Sequence, residues 1–261
     1  MVYQHISVTP GPAAKISLSR PEARNAMSDV TLRELADAFT VMSADAGLRA
    51  VLVTGQGKDF CAGADIQWMK RGGQMPPAEA KADAKLFAEM LSAVAQCPVP
   101  VVVAAQGNVF GGGLGLLAAC DVAVLADDAK LCFSETRLGI MPAVISSWVL
   151  PKIGVANARR YYLTAELFGA EQAVRMGLAH EAVPSAQLSA RADFLISSIL
   201  KNGPQAVRTA KAMIPQIFAA GPAARVDLTV DTLVKLRSSA EGQEGLSAFL
   251  EKRAPSWSAK P

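Results

Sequence analysis

Three consecutive glycines, Gly111, Gly112 and Gly113, separate an apolar run at residues 99–105 from an uncharged, helix-forming run at residues 114–120. An extended run, a glycine turn and a helix in that order constrain the chain more than any other feature. Glycine lets the main chain approach closely and take up positive φ. The first N–H groups of a helix have no internal partner, and the helix dipole favours negative charge beside them. Such a turn holds a phosphate, a carboxylate or an oxyanion. It serves equally as a tight turn that packs a strand against a helix, and on this stretch alone both readings stand. Residues 90–120 carry no charge, but Pro98, Pro100, Gln106, Asn108 and the glycines at 107 and 111–113 interrupt them. No clean span of about 20 residues remains for a membrane, so a buried strand, loop and helix are expected.

Residues 15–20 alternate weakly around Ile16 and Leu18, as a strand does, and Pro21 ends them. Ser28 is placed to cap a helix in which Leu32, Leu35, Phe39 and Met42 share one face. Residues 50–54 read as a short apolar strand, and residues 58–65 as a loop with small residues at 62–64. Asp65 opens the next helical stretch and reads as its cap rather than as an acid. Helical spacing resumes at 78–95 with Ala84, Phe87, Leu91 and Val94. After the glycine turn and its helix, residues 122–126 and 129–135 read as strands and residues 139–142 as a turn. Beyond Pro151 the character changes, with helices expected at 155–168, 170–176, 186–202, 204–218, 223–237 and 243–253. This alternation predicts an α/β core over residues 1–195 and a helical region over residues 196–261. A helical tail of that kind packs on its own core or on a neighbouring subunit.

Several chemistries are excluded. The net charge is only +3, and the 26 basic residues are scattered, with neither the basic stripe nor the reading motif of a nucleic-acid binder. Cys61, Cys97, Cys120 and Cys132 form no C-x-x-C pair and read as reduced, mostly buried thiols of a cytoplasmic protein. The N-terminus has no basic-then-apolar signal. His5 sits near a terminus, His180 reads as part of an exposed turn, and no G-x-S-x-G turn is present. No His, Cys, Asp and Glu cluster has metal-ligand spacing, so no metal is expected. The dinucleotide pattern fails because the sixth position from Gly111 is Leu116, and Lys58 lacks the neighbours of a phosphate-loop lysine.

What remains is a site of main-chain N–H groups and a carboxylate. Two small-residue turns offer donors, Ala62-Gly63-Ala64 and Gly111-Gly112-Gly113, each following a strand and opening a helix. Two N–H groups converging on one oxygen stabilise an enolate or oxyanion. Glu135, flanked by Leu131-Cys132-Phe133-Ser134 and Leu138-Gly139-Ile140, is the acid best placed for burial. A carboxyl group in apolar surroundings has a raised pKa and transfers protons near neutral pH. A salt bridge to Arg137 or a helix cap are its structural alternatives. Asp121 ends a buried helix and is expected to pair with backbone groups.

Taken together, these stretches resemble the crotonase (enoyl-CoA hydratase/isomerase) superfamily across almost the whole chain. The matching pieces are Arg20-Pro21 with Asn25-Ala26-Met27, then Phe60-Cys61-Ala62-Gly63-Ala64-Asp65-Ile66, then Gly107-Asn108-Val109-Phe110-Gly111-Gly112-Gly113. Phe133-Ser134-Glu135, Leu138-Gly139-Ile140-Met141-Pro142 and the closing Phe249-Leu250-Glu251-Lys252-Arg253 follow in order. The resemblance implies a spiral of ββα units with a helical C-terminal region that assembles trimers, often paired into hexamers. It implies that Ala64 and Gly112 donate to the thioester oxygen of an acyl-CoA substrate and that Glu135 handles protons. Ala62, Asp65 and Ile66 would line the CoA, with its adenine near Arg24 and Ala26. Lys58 would reach a CoA phosphate, as would Phe249 and Lys252 from a neighbouring subunit; for both lysines the alternative is an ordinary surface charge. No cofactor beyond the CoA of the substrate is implied, and no nucleic acid or membrane partner.

One departure from the family pattern matters. Its hydratases carry a second glutamate on the helix after the glycines, and that position here is Gly115. The run from Phe133 to Glu135 with Pro142-Ala143-Val144-Ile145-Ser146 looks most like the subgroup that hydrates branched glutaconyl-CoA thioesters, of the methylglutaconyl and isohexenylglutaconyl type, in leucine or acyclic-terpene breakdown. Glycine at 115 is expected to leave an empty, uncharged volume beside the β-carbon, and Arg137 to meet a distal carboxylate or face solvent. Hydration of a 2-enoyl-CoA is the reading this supports. A single-acid isomerase or decarboxylase of the same fold is the alternative, and a non-catalytic binder of acyl-CoA or RNA the alternative of another class.

Overall fold

A computed structural model describes residues 2–258. The chain opens with a hairpin, β1 (Ile6–Thr9) and β2 (Ala13–Leu18), followed by α1 (Asp29–Ser43). Ser28 caps α1 in a capping box with Thr31, as the sequence predicts. Then come β3 (Ala50–Gly55), α2 (Ile66–Gly72), α3 (Pro77–Ala95), β4 (Val101–Ala105) and β5 (Asn108–Phe110). The glycine turn leads into α4 (Gly112–Ala119), then β6 (Val122–Ala126), β7 (Lys130–Cys132) and α5 (Ser146–Thr164). The rest comprises β8 (Phe168–Gly169), α6 (Ala170–Arg175), β9 (Glu181–Val183), α7 (Leu188–Leu200), α8 (Pro204–Ala219), α9 (Pro222–Ser238) and α10 (Ala240–Leu250).

The main sheet runs β1-β2-β3-β4-β6-β9, parallel throughout except for the β1–β2 hairpin. Its central strands are continuous apolar runs because both faces are covered. Val51, Val53, Val101, Val103, Ala123 and Leu125 face the larger core. Ala50, Leu52, Val102, Ala104, Val124 and Ala126 face the other way, against Leu188, Ala192 and Ile196 of α7. Residue 195, where the sequence suggests a boundary, therefore lies inside a helix that covers the sheet. A second, three-stranded sheet, β5-β7-β8, carries the glycine turn at the end of β5. The uncharged helix α4 is buried from Gly113 to Ala119, which accounts for its lack of a polar face. No helix among the described residues is long and apolar enough to cross a membrane.

Several elements differ from the sequence reading, among them the short strands β5 and β8, which it does not contain. The strand expected at 129–135 stops at Cys132, and Glu135–Leu138 forms a 3-10 turn instead. Helix α5 begins at Ser146, ahead of the expected start at 155, because Gly154 (φ 70°, ψ 166°) joins two helices across a kink. The edge strand β1 lies outside the alternation read from sequence. All four cysteines are free and buried.

Helices α8 and α9 contain no buried residue. Helix α8 is tied to the core by long cations: Arg208 donates to Leu48 O, and Lys211 Nζ pairs with Asp121 Oδ2 at 2.6 Å. Asp121 also accepts from Val101 N–H, as expected of a carboxylate ending a buried helix.

Candidate active site

The two small-residue turns meet. Cys61 N–H donates to Asn108 O and Phe110 N–H to Cys61 O, which clamps residues 60–65 alongside β5. On the other side Met27 N–H donates to Gly63 O, and Asp65 N–H to Met27 O. Those bonds satisfy the neighbours of Ala64 but not Ala64 itself. Gly112 is the first residue of α4 and has no carbonyl four residues back within the helix. Among the described residues, neither the Ala64 N–H nor the Gly112 N–H has a backbone acceptor, and both residues border one cavity of about 810 Å³. Unpaired N–H groups at the wall of a cavity are donors available to a ligand oxygen.

Glu135 enters the same cavity from the 3-10 turn. A Cβ placed on Gly111 would stand 3.3 Å from Glu135 Oε1. Gly111 also sits at φ 47°, so glycine is required there twice over, by conformation and by the carboxyl group pressed against it. Glu135 Oε2 is buried with no hydrogen-bond partner. Burial raises the Glu135 pKa above the ordinary 4.5, opposed only by its own backbone N–H. An unsatisfied, half-buried carboxyl group facing a cavity is poised for proton transfer. The salt-bridge alternative for this residue does not hold: Arg137 Nη2 donates to Ala165 O instead. Nor does Arg137 line the cavity, so it does not meet a distal carboxylate there.

The volume expected beside Gly115 is not empty. Ile145 lies directly over this glycine: an added Cβ would be 2.9 Å from Ile145 Cβ, closer still to its Cγ2, and 3.5 Å from Leu91 Cδ1. Ile145 is buried and lines the cavity, whereas Gly115 does not. The place of a second carboxylate is thus taken by an apolar plug from the start of α5, and the glycine is there to accommodate it.

Of the other residues singled out from sequence, Ala62 and Ile66 line the cavity. Asp65 does not; it caps α2 through Gln67 N–H and Trp68 N–H and pairs with Arg20 at 3.1 Å. That pairing and those N–H bonds lower its pKa against the opposing effect of burial. Arg24, Ala26 and Lys58 stand outside the cavity lining, although Arg24 O accepts from Ala62 N–H. Phe249 and Lys252 also lie outside it, with Phe249 82 % exposed on α10. His180 is exposed, and its Nδ1 accepts from Ala123 N–H, which ties it to the edge of β6. Sequence reasoning missed Trp68, Asp83 and Phe87, which α2 and α3 bring to the cavity. Phe87 was legible as part of an apolar helix face, but nothing local shows that this face meets Gly112.

The geometry agrees with what the chain is similar to. Residues 10–260 match the family model described as "Enoyl-CoA hydratase/isomerase". A "Probable enoyl-CoA hydratase" of Rhodobacter capsulatus is 36% identical over 251 residues, 93% of each chain. A "Crotonyl-CoA hydratase" of Syntrophomonas wolfei is 31% identical, covering 95% of each. Among solved structures, an enoyl-CoA hydratase from Shewanella pealeana superposes with a TM-score of 0.92 at 35% identity, covering 97% of this chain and 96% of that one. Pseudomonas aeruginosa AtuE superposes at 0.93 with 32% identity, covering 97% and 99%. By the family match over almost its whole length and by its superposition on these structures, the chain belongs to the enoyl-CoA hydratase/isomerase family and has the crotonase fold.

Proposed function

We propose that this protein hydrates 2-enoyl-CoA thioesters. The observation that carries the reading is the partnerless Glu135 Oε2 in a cavity bordered by two free N–H groups. The thioester oxygen lies between Ala64 N–H and Gly112 N–H, where the N-terminus of α4 adds its dipole. As a water oxygen adds to the β-carbon, the double-bond electrons move to the thioester oxygen and the enolate is held by both donors. Glu135, whose carboxyl group lies against Gly111 beside the donors, takes a proton from the water and returns it to the α-carbon, so both new bonds form on one face. Crotonyl-CoA and the protein, followed by loss of enoyl absorbance and by product mass, test this. Absence of 3-hydroxyacyl-CoA from a panel of enoyl thioesters refutes it.

A second reading is favoured by Ile145. An apolar plug where a water-activating carboxylate would stand suits reactions that need one proton carrier and no water, namely double-bond migration or decarboxylation. A narrower form of the first reading takes a branched glutaconyl-CoA as substrate. Its support is Lys70, which lines the cavity and has no ion-pair partner among the described residues; the glycine at 115 provides no room for it. Ala62, Asp65, Ile66, Arg24, Ala26 and Lys58 are proposed to hold the CoA along the mouth of the cavity. Exposed Phe218, Val230, Leu233 and Phe249 on α8, α9 and α10 support assembly into a trimer or a pair of trimers. Phe249 and Lys252 would then meet a neighbour's CoA. The four unpaired buried thiols suit a cytoplasmic setting.

A further inference from the structure

The wall of the cavity is largely apolar, and its charged side chains are Glu135 beside the donors, Lys70 and Asp83. Leu91, Phe87 and Asp83 recur four residues apart on α3 and so form one stripe along the helix. Leu91 is buried in the core behind the inner end, beside Gly115, over which Ile145 lies. Phe87 packs at the donor, its Cζ 3.1 Å from where a Cβ on Gly112 would stand. Asp83 is one turn further out and lines the same cavity. Its Oδ1 accepts from the indole N–H of Trp68 on α2 at 2.9 Å, and its second oxygen has no protein partner among the described residues. A carboxylate of α3 is thus fixed by a side chain of α2, and the stripe between it and the donors is apolar.

We propose that Asp83, positioned by Trp68, is a specificity determinant that limits the aliphatic length of the acyl group. The inference rests on the acyl-CoA reading above and deepens it. With the inner end plugged by Ile145, an acyl tail leaving the thioester runs outward along α3. Four residues of helix rise ~6 Å, the span of roughly four or five carbon–carbon bonds. A chain of up to about six carbons stops short of Asp83 by this measure. A longer one presses methylene groups against the carboxylate and strips its water without replacing the hydrogen bonds, which is unfavourable. An uninterrupted apolar cavity behaves in the opposite way, each buried methylene strengthening binding roughly fourfold. The class of substrate admitted is therefore a short acyl thioester, or one whose distal end is polar.

Calorimetric binding of butanoyl-CoA and decanoyl-CoA tests the inference. Both are saturated and undergo no hydration, so the affinity ratio reads the cavity whatever Glu135 does. The wild type should bind decanoyl-CoA no more than threefold tighter than butanoyl-CoA. Asp83→Leu should raise that ratio at least tenfold. Asp83→Asn, which keeps the indole hydrogen bond but removes the charge, should raise it by a smaller factor without disturbing the fold. Butanoyl-CoA affinity should stay within threefold in both variants. A wild type that already prefers decanoyl-CoA tenfold overturns the assignment of Asp83, as does an unchanged ratio in the folded variants. Absence of binding by either thioester overturns this inference and the acyl-CoA reading together, whereas a shifted ratio without hydration of any enoyl-CoA overturns only the proposed hydratase activity.

Discussion

Gly115 and Ile145 form an interlocked pair, and a double-mutant cycle measures the interlock. Gly115→Ala places a Cβ 2.9 Å from Ile145 Cβ, well inside van der Waals contact, in a helix whose other walls are also packed. Overpacking of that kind costs ~1–3 kcal/mol, offset by about 1 kcal/mol of helix propensity gained over glycine. The single variant should therefore be destabilised by ~0–2 kcal/mol. Ile145→Ala removes most of a buried side chain and should cost ~2–5 kcal/mol. In the double variant the new methyl group occupies space that Ile145 has vacated, so the clash disappears and part of the cavity is filled. The two effects should fall short of additivity by ~1–3 kcal/mol, against about 0.5 kcal/mol for independent sites. Urea unfolding at one fixed protein concentration reads this, since assembly makes apparent stability concentration-dependent. A cycle that closes within about 0.5 kcal/mol refutes the claim that Ile145 occupies the place of a second carboxylate. It would restore the empty volume that the glycine alone suggests.

Glu135→Gln keeps the shape of the side chain and removes its titrating proton, so turnover of a true substrate should fall ~10²–10⁴-fold while thioester binding persists; kinetics with calorimetry check both. Because burial raises the folded-state pKa of Glu135 above the ordinary 4.5, the charged form is the disfavoured one. The stabilising contribution of the protonated group is complete below the unfolded value and is lost as pH rises through the folded value, so Glu135→Gln should be more stable than wild type at neutral pH and lose that advantage near pH 4. For the same reason kcat/KM should fall with acid at a midpoint above the ordinary glutamate value, and a midpoint at or below it counts against the site. Gly112→Pro removes the N–H at the first position of α4, where proline suits a helix, and sets a Cβ 3.1 Å from Phe87 Cζ and Met27 Sδ; turnover should drop at least ~10²–10³-fold, with circular dichroism run alongside to check the fold, and a folded, fully active variant rules out that donor. If copies of the chain cover the exposed face of α8 and α9, Phe218→Glu with Leu233→Glu should lower the sedimenting mass, and an unaltered mass places the interface elsewhere.

The sequence by itself determined the parts of this protein that depend on neighbours along the chain. Continuous apolar runs at β3, β4 and β6 specify a sheet buried on both faces. Ser28 and Asp65 are caps because their side chains reach N–H groups two or three residues on. The glycines at 111–113 and the small residues at 62–64 mark where backbone donors are free, since only short side chains leave room for a ligand oxygen beside the chain. Glu135 was legible as a burial candidate from its apolar flanks. What tertiary structure decided lies across gaps in sequence. Gly115 reads as a vacancy until Ile145, thirty positions on by number, is seen resting on it. Arg137 is two residues from Glu135, yet the 3-10 turn sends its guanidinium to Ala165 O. Asp83 and Trp68 are ordinary surface-helix residues in the sequence, and only the packing of α2 against α3 makes them a hydrogen-bonded pair in a cavity wall. Local propensity and periodicity record which face of an element is apolar. They do not record which other face it meets, and the shape and charge of a pocket are properties of that meeting.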